Sequence, residues 1–213
     1  MRVHNLKSKK IGHIVDVSDL EIHGGLILTG CHRFISRGRL KLGFTQRPEY
    51  DAIGRRHYID LIAFESKEAN ICFQAEAAEA YKNVPPPNEA IAYEQQSDSG
   101  LMHFCDADLD ESNTIIIPSS FQGIVVTTFQ VTRREPLEAV VELKLESGLI
   151  LLEWIYRVSN GFHQLHPPQV VDLDSRATKK QYRSMMTFTS TAAERAFKIS
   201  ALRSIQRFLS GRS

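Results

Sequence analysis

Residues 138–146 alternate between polar and apolar positions, Glu-Ala-Val-Val-Glu-Leu-Lys-Leu-Glu, and a β-rich run resumes at Leu149. Alternation with a period of two marks a half-buried strand. Ser147-Gly148, between the two runs, has the composition of a two-residue hairpin turn. Such a turn pairs Glu146 with Leu149. The register then sets Leu145 opposite Ile150, Leu143 opposite Leu152, Val141 opposite Trp154 and Ala139 opposite Tyr156. All four pairs fall on one apolar face, so pattern and turn agree. On the other face Glu142 meets Glu153. Two like charges there need a compensating group, which Lys144, an arginine of the C-terminal segment or a shared proton could supply. Residues 124–132 read as the preceding strand, joined through Arg133-Arg134-Glu135-Pro136, and complete a three-stranded meander.

Further strands are expected at 11–17, 26–29, 39–44 and 57–64. Residues 69–82 support two readings. Ala69, Cys72, Phe73, Ala77, Ala80 and Tyr81 gather on one side of a helix, but 70–76 would also serve as a return strand. Helix is expected at least from Ala75 onward. Val84-Pro-Pro-Pro87 ends it and marks a candidate internal boundary near 84–88. At the other end of the chain, Thr191-Ala-Ala-Glu194 has the form of a capping box and Gly211 that of a helix stop. The helix expected over 192–210 would be about 28 Å long at 1.5 Å per residue. Phe197, Ala201, Leu202, Ile205, Phe208 and Leu209 lie on one side, and Arg195, Arg203 and Arg207 on the other. Glu65-Ser66 and Glu146-Ser147 each follow an alternating run, but their flanks do not match, and no duplication is inferred from them. The fold class expected is a β-rich α+β protein, an antiparallel sheet or sandwich with a long basic C-terminal amphipathic helix.

Charge sharpens this picture. The chain has 213 residues and a formal net charge of +1. That near-neutral total hides a dipole. Residues 175–213 hold nine Lys/Arg against one acid, Glu194, whereas the 174 residues before them hold 17 Lys/Arg and 24 Asp/Glu. The division suggests a β-rich body over 1–174 and a basic tail over 175–213. A tail of this sign calls for an anionic partner, either a nucleic acid or an acidic protein surface, including the protein's own. A composition of 42% hydrophobic and 24% charged residues is that of an ordinary globular chain. The N-terminal MRVHNLKSKK lacks the apolar stretch of a secretory signal. The uncharged stretch 112–132 is broken by Ser, Thr, Gln, Pro118 and Gly123, and reads as two strands around a turn; no membrane partner is expected. Cys31, Cys72 and Cys105 form no Cys-x-x-Cys, which favours a reducing, cytoplasmic setting.

The candidate phosphate contacts in the tail are Lys179, Lys180, Arg183, Arg195, Arg203 and Arg207, because spaced cations release counterions from a phosphate backbone. A second basic element, Arg33-Phe-Ile-Ser-Arg37-Gly-Arg39-Leu-Lys41, adds Arg33, Arg37, Arg39 and Lys41. In a strand, Arg37, Arg39 and Lys41 would share a face, with Phe34 and Phe44 as stacking surfaces. Arg33-x-x-x-Arg37 has the spacing of the cyclic-dinucleotide motif of PilZ domains. That family also requires a downstream Asp/Asn-x-Ser-x-x-Gly. Pro118-Ser-Ser-Phe-Gln-Gly123 has proline in the acidic place and Asp16-Val-Ser18 lies upstream, so no membership is inferred.

His163-Gln-Leu-His166 offers two metal ligands with no third fixed by spacing, and no metal is expected. Asp106-Ala-Asp108-Leu-Asp110 lacks the glycine and the glutamate of a calcium loop. No Gly-x-Ser-x-Gly, P-loop, Gly-x-Gly-x-x-Gly or His-Glu-x-x-His occurs, so no catalytic residue and no cofactor is assigned. The function expected is that of a non-catalytic subunit binding nucleic acid through the basic tail and the Arg-rich segment. The alternative is a protein-only assembly or inhibitor module, self-association included, whose basic helix docks on an acidic surface. A third reading is a motif-less phosphodiesterase using His23, His32 or His57 with Arg37.

Overall fold

The computed structural model describes residues 1–44, 46–84, 102–110, 115–172 and 181–211. An antiparallel meander is built from β1 (Arg2–Ile11), β2 (Ile14–Glu21) and β3 (Leu26–Ser36), with Leu20 of β2 and the start of β3 buried. Next, β4 (Arg39–Gly43) folds back on β3, and β5 (Gln46–Tyr50) with β6 (Arg56–Asp60) forms a separate hairpin. A short β7 (Ile62–Phe64) then leads into α1 (Lys67–Lys82). After α2 (Asp106–Leu109) and a 3-10 turn at Ser119–Phe121, the same series begins again. Strands β8 (Val125–Arg133), β9 (Leu137–Lys144) and β10 (Leu149–Ser159) form the meander, and β11 (Phe162–His166) folds back on β10. A hairpin of β12 (Gln169–Asp172) and β13 (Gln181–Ser184) follows, then β14 (Met186–Phe188) and α3 (Thr191–Ser210). Strand-rich antiparallel sheets closed by a C-terminal helix are the fold class expected from the sequence.

The chain is thus a structural duplication, with positions 123 or 124 residues apart playing the same part. Backbone landmarks recur in step. The third strand begins at Leu26 and again at Leu149, and the helices are capped by Ser66 and Ser190. Each cap hydroxyl accepts a hydrogen bond of 3.1 Å, from the Ala69 and Ala193 backbone N–H respectively. Residues in the left-handed region recur too: Gly30 matches Glu153, and the turn Arg37-Gly38 matches Asn160-Gly161. Gly25 and Gly148 are equivalent for a steric reason. A Cβ on Gly25 would lie 2.3 Å from Thr189 Oγ1, and one on Gly148 would lie 2.9 Å from Ala69 Cβ. The glycines let the helix starts lie against the meander turns, and the Thr189 and Glu65 amides donate to the Gly25 and Gly148 carbonyls, each at 2.8 Å.

The halves are laced together by exchange. Strand β7 of the first half pairs with β10 of the second, while β14 of the second pairs with β3 of the first. Each of the two large sheets therefore has five strands, one borrowed, while the β5–β6 and β12–β13 hairpins stand as two-stranded sheets. One apolar core runs through both halves. At its centre Phe197 of α3 lies with its ring centroid 5.0 Å from Trp154, 5.1 Å from Phe121 and 5.3 Å from Phe188.

The hairpin register departs from expectation near the turn. Val141 faces Trp154 and Ala139 faces Tyr156, but Leu143 faces Leu151 rather than Leu152. The loop has three residues, closed by the Leu145 N–H donating to the Leu149 carbonyl at 2.8 Å, and a bulge between Leu151 and Trp154 restores the phase. Glu153, in the bulge at φ 63°, no longer opposes Glu142. Its carboxylate meets Arg47 at 2.7 Å, while Glu142 accepts from Thr128 Oγ1 at 2.6 Å. Residues 69–82 are helical throughout. In α3 the cap is Ser190, one residue before the expected Thr191. Residues 115–117 form no strand, and among the described residues of that stretch only β8 and the short 3-10 turn are regular. None of the helices among the described residues is long and apolar enough to cross a membrane.

Candidate nucleic-acid interface

Arg33 is held inside the first half. Its guanidinium donates to both Asp16 carboxylate oxygens (Nε at 3.0 and 3.1 Å, Nη2 at 2.5 Å) and lies 4.4 Å over the Tyr81 ring. The Tyr81 hydroxyl shares a hydrogen bond with Ser18. Burial pushes the Tyr81 hydroxyl up to about 12, so it stays protonated at neutral pH. The positions equivalent to Asp16, Ser18, Arg33 and Tyr81 in the second half are Ala139, Val141, Tyr156 and Ile205, all buried. The fold can therefore be closed at this place by apolar side chains. The Asp16–Arg33 pair is a feature of one half, and it takes Arg33 out of contact with an external phosphate.

Two of the three arginines of α3, Arg195 and Arg203, are turned towards the acidic segment of their own chain. Arg203 Nε donates to the Leu109 carbonyl at 2.9 Å and its Nη2 donates to the Asp110 carbonyl. Arg195 lies 3.5 Å from Asp108, and Gln206 donates to Asp106 at 3.1 Å. The Cys105 thiol and backbone N–H both donate to Asp108, holding its carboxyl below the usual range, so it is ionised beside Arg195. Arg207 is exposed near the C-terminal end of the helix. Lys179 and Lys180 lie outside the described residues.

The remaining cations stand on hairpins. Arg37 and Gly38 form the β3–β4 turn, both at positive φ, so Arg37 caps the hairpin and does not share a strand face with Arg39 and Lys41. Arg39 and Lys41 alternate with Leu40 and Leu42 on β4. Ile35 and Leu40, paired across the strands, are 49% and 54% exposed, which shows that the hairpin tip projects beyond the core. Arg37, Arg39 and Lys41 make no ion pair among the described residues. Arg183 is likewise exposed on β13, beside exposed Tyr182.

The β5–β6 hairpin contributes a face that the sequence reading missed. Its register pairs Tyr50 with Arg56 and Pro48 with Tyr58, so Pro48, Tyr50, Arg56 and Tyr58 share one face. Tyr50 is 57% and Tyr58 53% exposed, and the Arg56 guanidinium lies 4.9 Å over the Tyr58 ring. Two rings and a cation on one open surface make a stacking platform. Phe44, expected to stack, is instead packed against Phe64 and Phe73 at 5.7 and 5.5 Å. The platform was legible only as isolated tyrosines, because its residues come together through a pairing that the strand reading 57–64 did not contain.

The histidines are dispersed. His163 is bonded at Nδ1 to the Tyr156 hydroxyl (2.8 Å) and at Nε2 to Asp106 (3.0 Å). His23 meets Glu76 and His57 meets Glu49, while His32 lies against Phe34. Among the described residues no three His, Cys, Asp or Glu side chains gather as a metal-ligand set. No protein-family model, no curated protein and no solved structure matches this chain.

Proposed function

We propose that the protein is a non-catalytic binding subunit that holds a single-stranded nucleic acid on its hairpins. Arg37, Arg39, Lys41 and Arg183 supply the phosphate contacts, and Tyr50 and Tyr58 stack on bases. The observation that carries this reading is the exposed Tyr50–Arg56–Tyr58 face, since an open aromatic pair with a cation serves no packing need. Arg33, Arg195 and Arg203 are not part of the proposed surface, because their guanidinium groups are already bound. Docking of α3 on an acidic partner, the second reading, is favoured only by the contacts that α3 makes with α2, and those are satisfied within the chain.

A labelled oligothymidylate, titrated by anisotropy at several salt concentrations, tests the proposal. Arg37→Glu with Arg39→Glu and Lys41→Glu should flatten the plot of log affinity against log salt by about 0.7 for each phosphate no longer neutralised. Tyr50→Ala with Tyr58→Ala should weaken binding by about 1–3 kcal/mol per stacked base and leave the salt slope alone. An unaltered slope in the first variant, or an unaltered affinity in the second, would count against the hairpins as the binding surface.

A further inference from the structure

Between α3 and the meander turn of the first half sits the Ser119–Phe121 turn. Phe121 is fully buried, its ring edge-on to Phe197, and its carbonyl accepts a 2.5 Å hydrogen bond from Ser200 Oγ. It is wedged so tightly that a Cβ on Gly24 would lie 2.6 Å from its ring. The duplication builds the same wedge a second time, between α1 and the turn of the second half. There no segment among the described residues fills it. An open cleft of about 510 Å³ is walled on one side by Ala69, Cys72, Phe73 and Glu76 of α1 with the turn Leu145-Glu146-Ser147 and Met1, and on the other by the first-half turn Ile22-His23-Gly24 and by Pro118-Ser119-Ser120, the outer side of the first wedge. Those α1 residues occupy the places of Ala193, Ala196, Phe197 and Ser200, counted from the two serine caps. Leu145, Glu146 and Ser147 occupy the places of Ile22, His23 and Gly24, and Met1 that of Ile124.

The comparison also shows how the open cleft differs in chemistry. Ser200 donates to the carbonyl of its occupant; Glu76, in its place, is a carboxylate that would repel a carbonyl and attract a donor or a cation. Its contact among the described residues is His23 at 3.2 Å, exposed on both sides. Glu146, also exposed, adds a second carboxylate on the facing turn. We propose that this cleft receives a short turn of another protein, whose aromatic side chain lies on Phe73 as Phe121 lies on Phe197. A Lys or Arg beside that aromatic residue meets Glu76 and Glu146. The inference is independent of the hairpin surface, since none of the cleft residues belongs to it.

Two synthetic hexapeptides serve as probes: Pro-Ser-Ser-Phe-Gln-Gly, copied from residues 118–123, and Pro-Ser-Ser-Phe-Lys-Gly. Titrated into isotopically labelled full-length protein, both should shift amide resonances of the first turns of α1, of residues 145–148 and of the facing residues 22–24 and 119–120, leaving those of the C-terminal turns of α3 in place. The Lys peptide should bind about two- to fivefold more tightly, the range of an exposed ion pair. Replacing its Phe by Ala should weaken binding by about tenfold or more, as the loss of a buried ring requires. Glu76→Ser should remove the preference for Lys, and Cys72→Trp, filling the cleft, should abolish binding. Should either variant fold poorly, the peptide comparison on the unaltered protein decides alone. Resonance shifts scattered over the surface, no shifts at millimolar peptide, or binding indifferent to the Phe would each overturn the proposal.

Discussion

Phe197→Ala is expected to lower the unfolding free energy by about 3–5 kcal/mol, the upper range for a truncated core aromatic. The ring touches a residue of each structural element that has to meet at the centre. Trp154 comes from β10, Phe188 from the exchanged strand β14, and Phe121 from the turn wedged behind α3. Removing it opens a cavity between Trp154 and Phe188, fixed by strand pairing, and Phe121, held by the Ser200 hydrogen bond, so little collapse can refill the space. Its counterpart Phe73 packs against Phe44 and Phe64 but also borders the open cleft, where solvent already has access. Phe73→Ala should therefore cost less than Phe197→Ala. Urea titrations of the two variants decide this. Equal destabilisation would mean that the centre of the core does not lie where Phe197 meets Trp154.

Arg33→Ala should be the most damaging change to a polar residue, at about 3 kcal/mol, because it leaves the Asp16 carboxylate buried without its partner. The duplication supplies the control. Ala139 and Tyr156 stand at the equivalent places, so Asp16→Ala combined with Arg33→Tyr rebuilds the apolar solution already used in the second half. The double variant should be more stable than Arg33→Ala alone, although it changes more atoms. A double variant as unstable as the sum of its parts would show that the pair is required by the first half's backbone rather than tolerated by it.

The second-half meander was legible because three independent signals coincided there: alternation over 138–146, a glycine at the turn, and apolar partners in register. The error of one residue at Leu143 came from a loop of three residues where two were expected, and the bulge at Glu153, equally hidden, cancels it further along. A glutamate at positive φ in a bulge looks, in sequence, like any polar strand residue, whereas the glycine at the equivalent position 30 would have betrayed it. The duplication was hidden for a related reason. Its equivalent residues share backbone roles, not chemistry: Arg37 with Asn160, Asp16 with Ala139, Tyr81 with Ile205. Strand β1, rich in lysine and exposed along much of its length, offered no apolar alternation to read. The basic character of 175–213 was evident from counting, but its destination was not. Arg203 reaches carbonyls at Leu109 and Asp110, and separations of this size leave no pattern in a single chain.

Hydrogen exchange measured with and without a saturating oligothymidylate tests the binding surface most directly. Protection should appear in peptides covering 33–42 and 46–60, with that covering 181–184 joining them, and the amides of α3 should exchange as in the free protein. Protection confined to α3, or none in any of the three hairpin segments under conditions where anisotropy reports binding, would contradict the account.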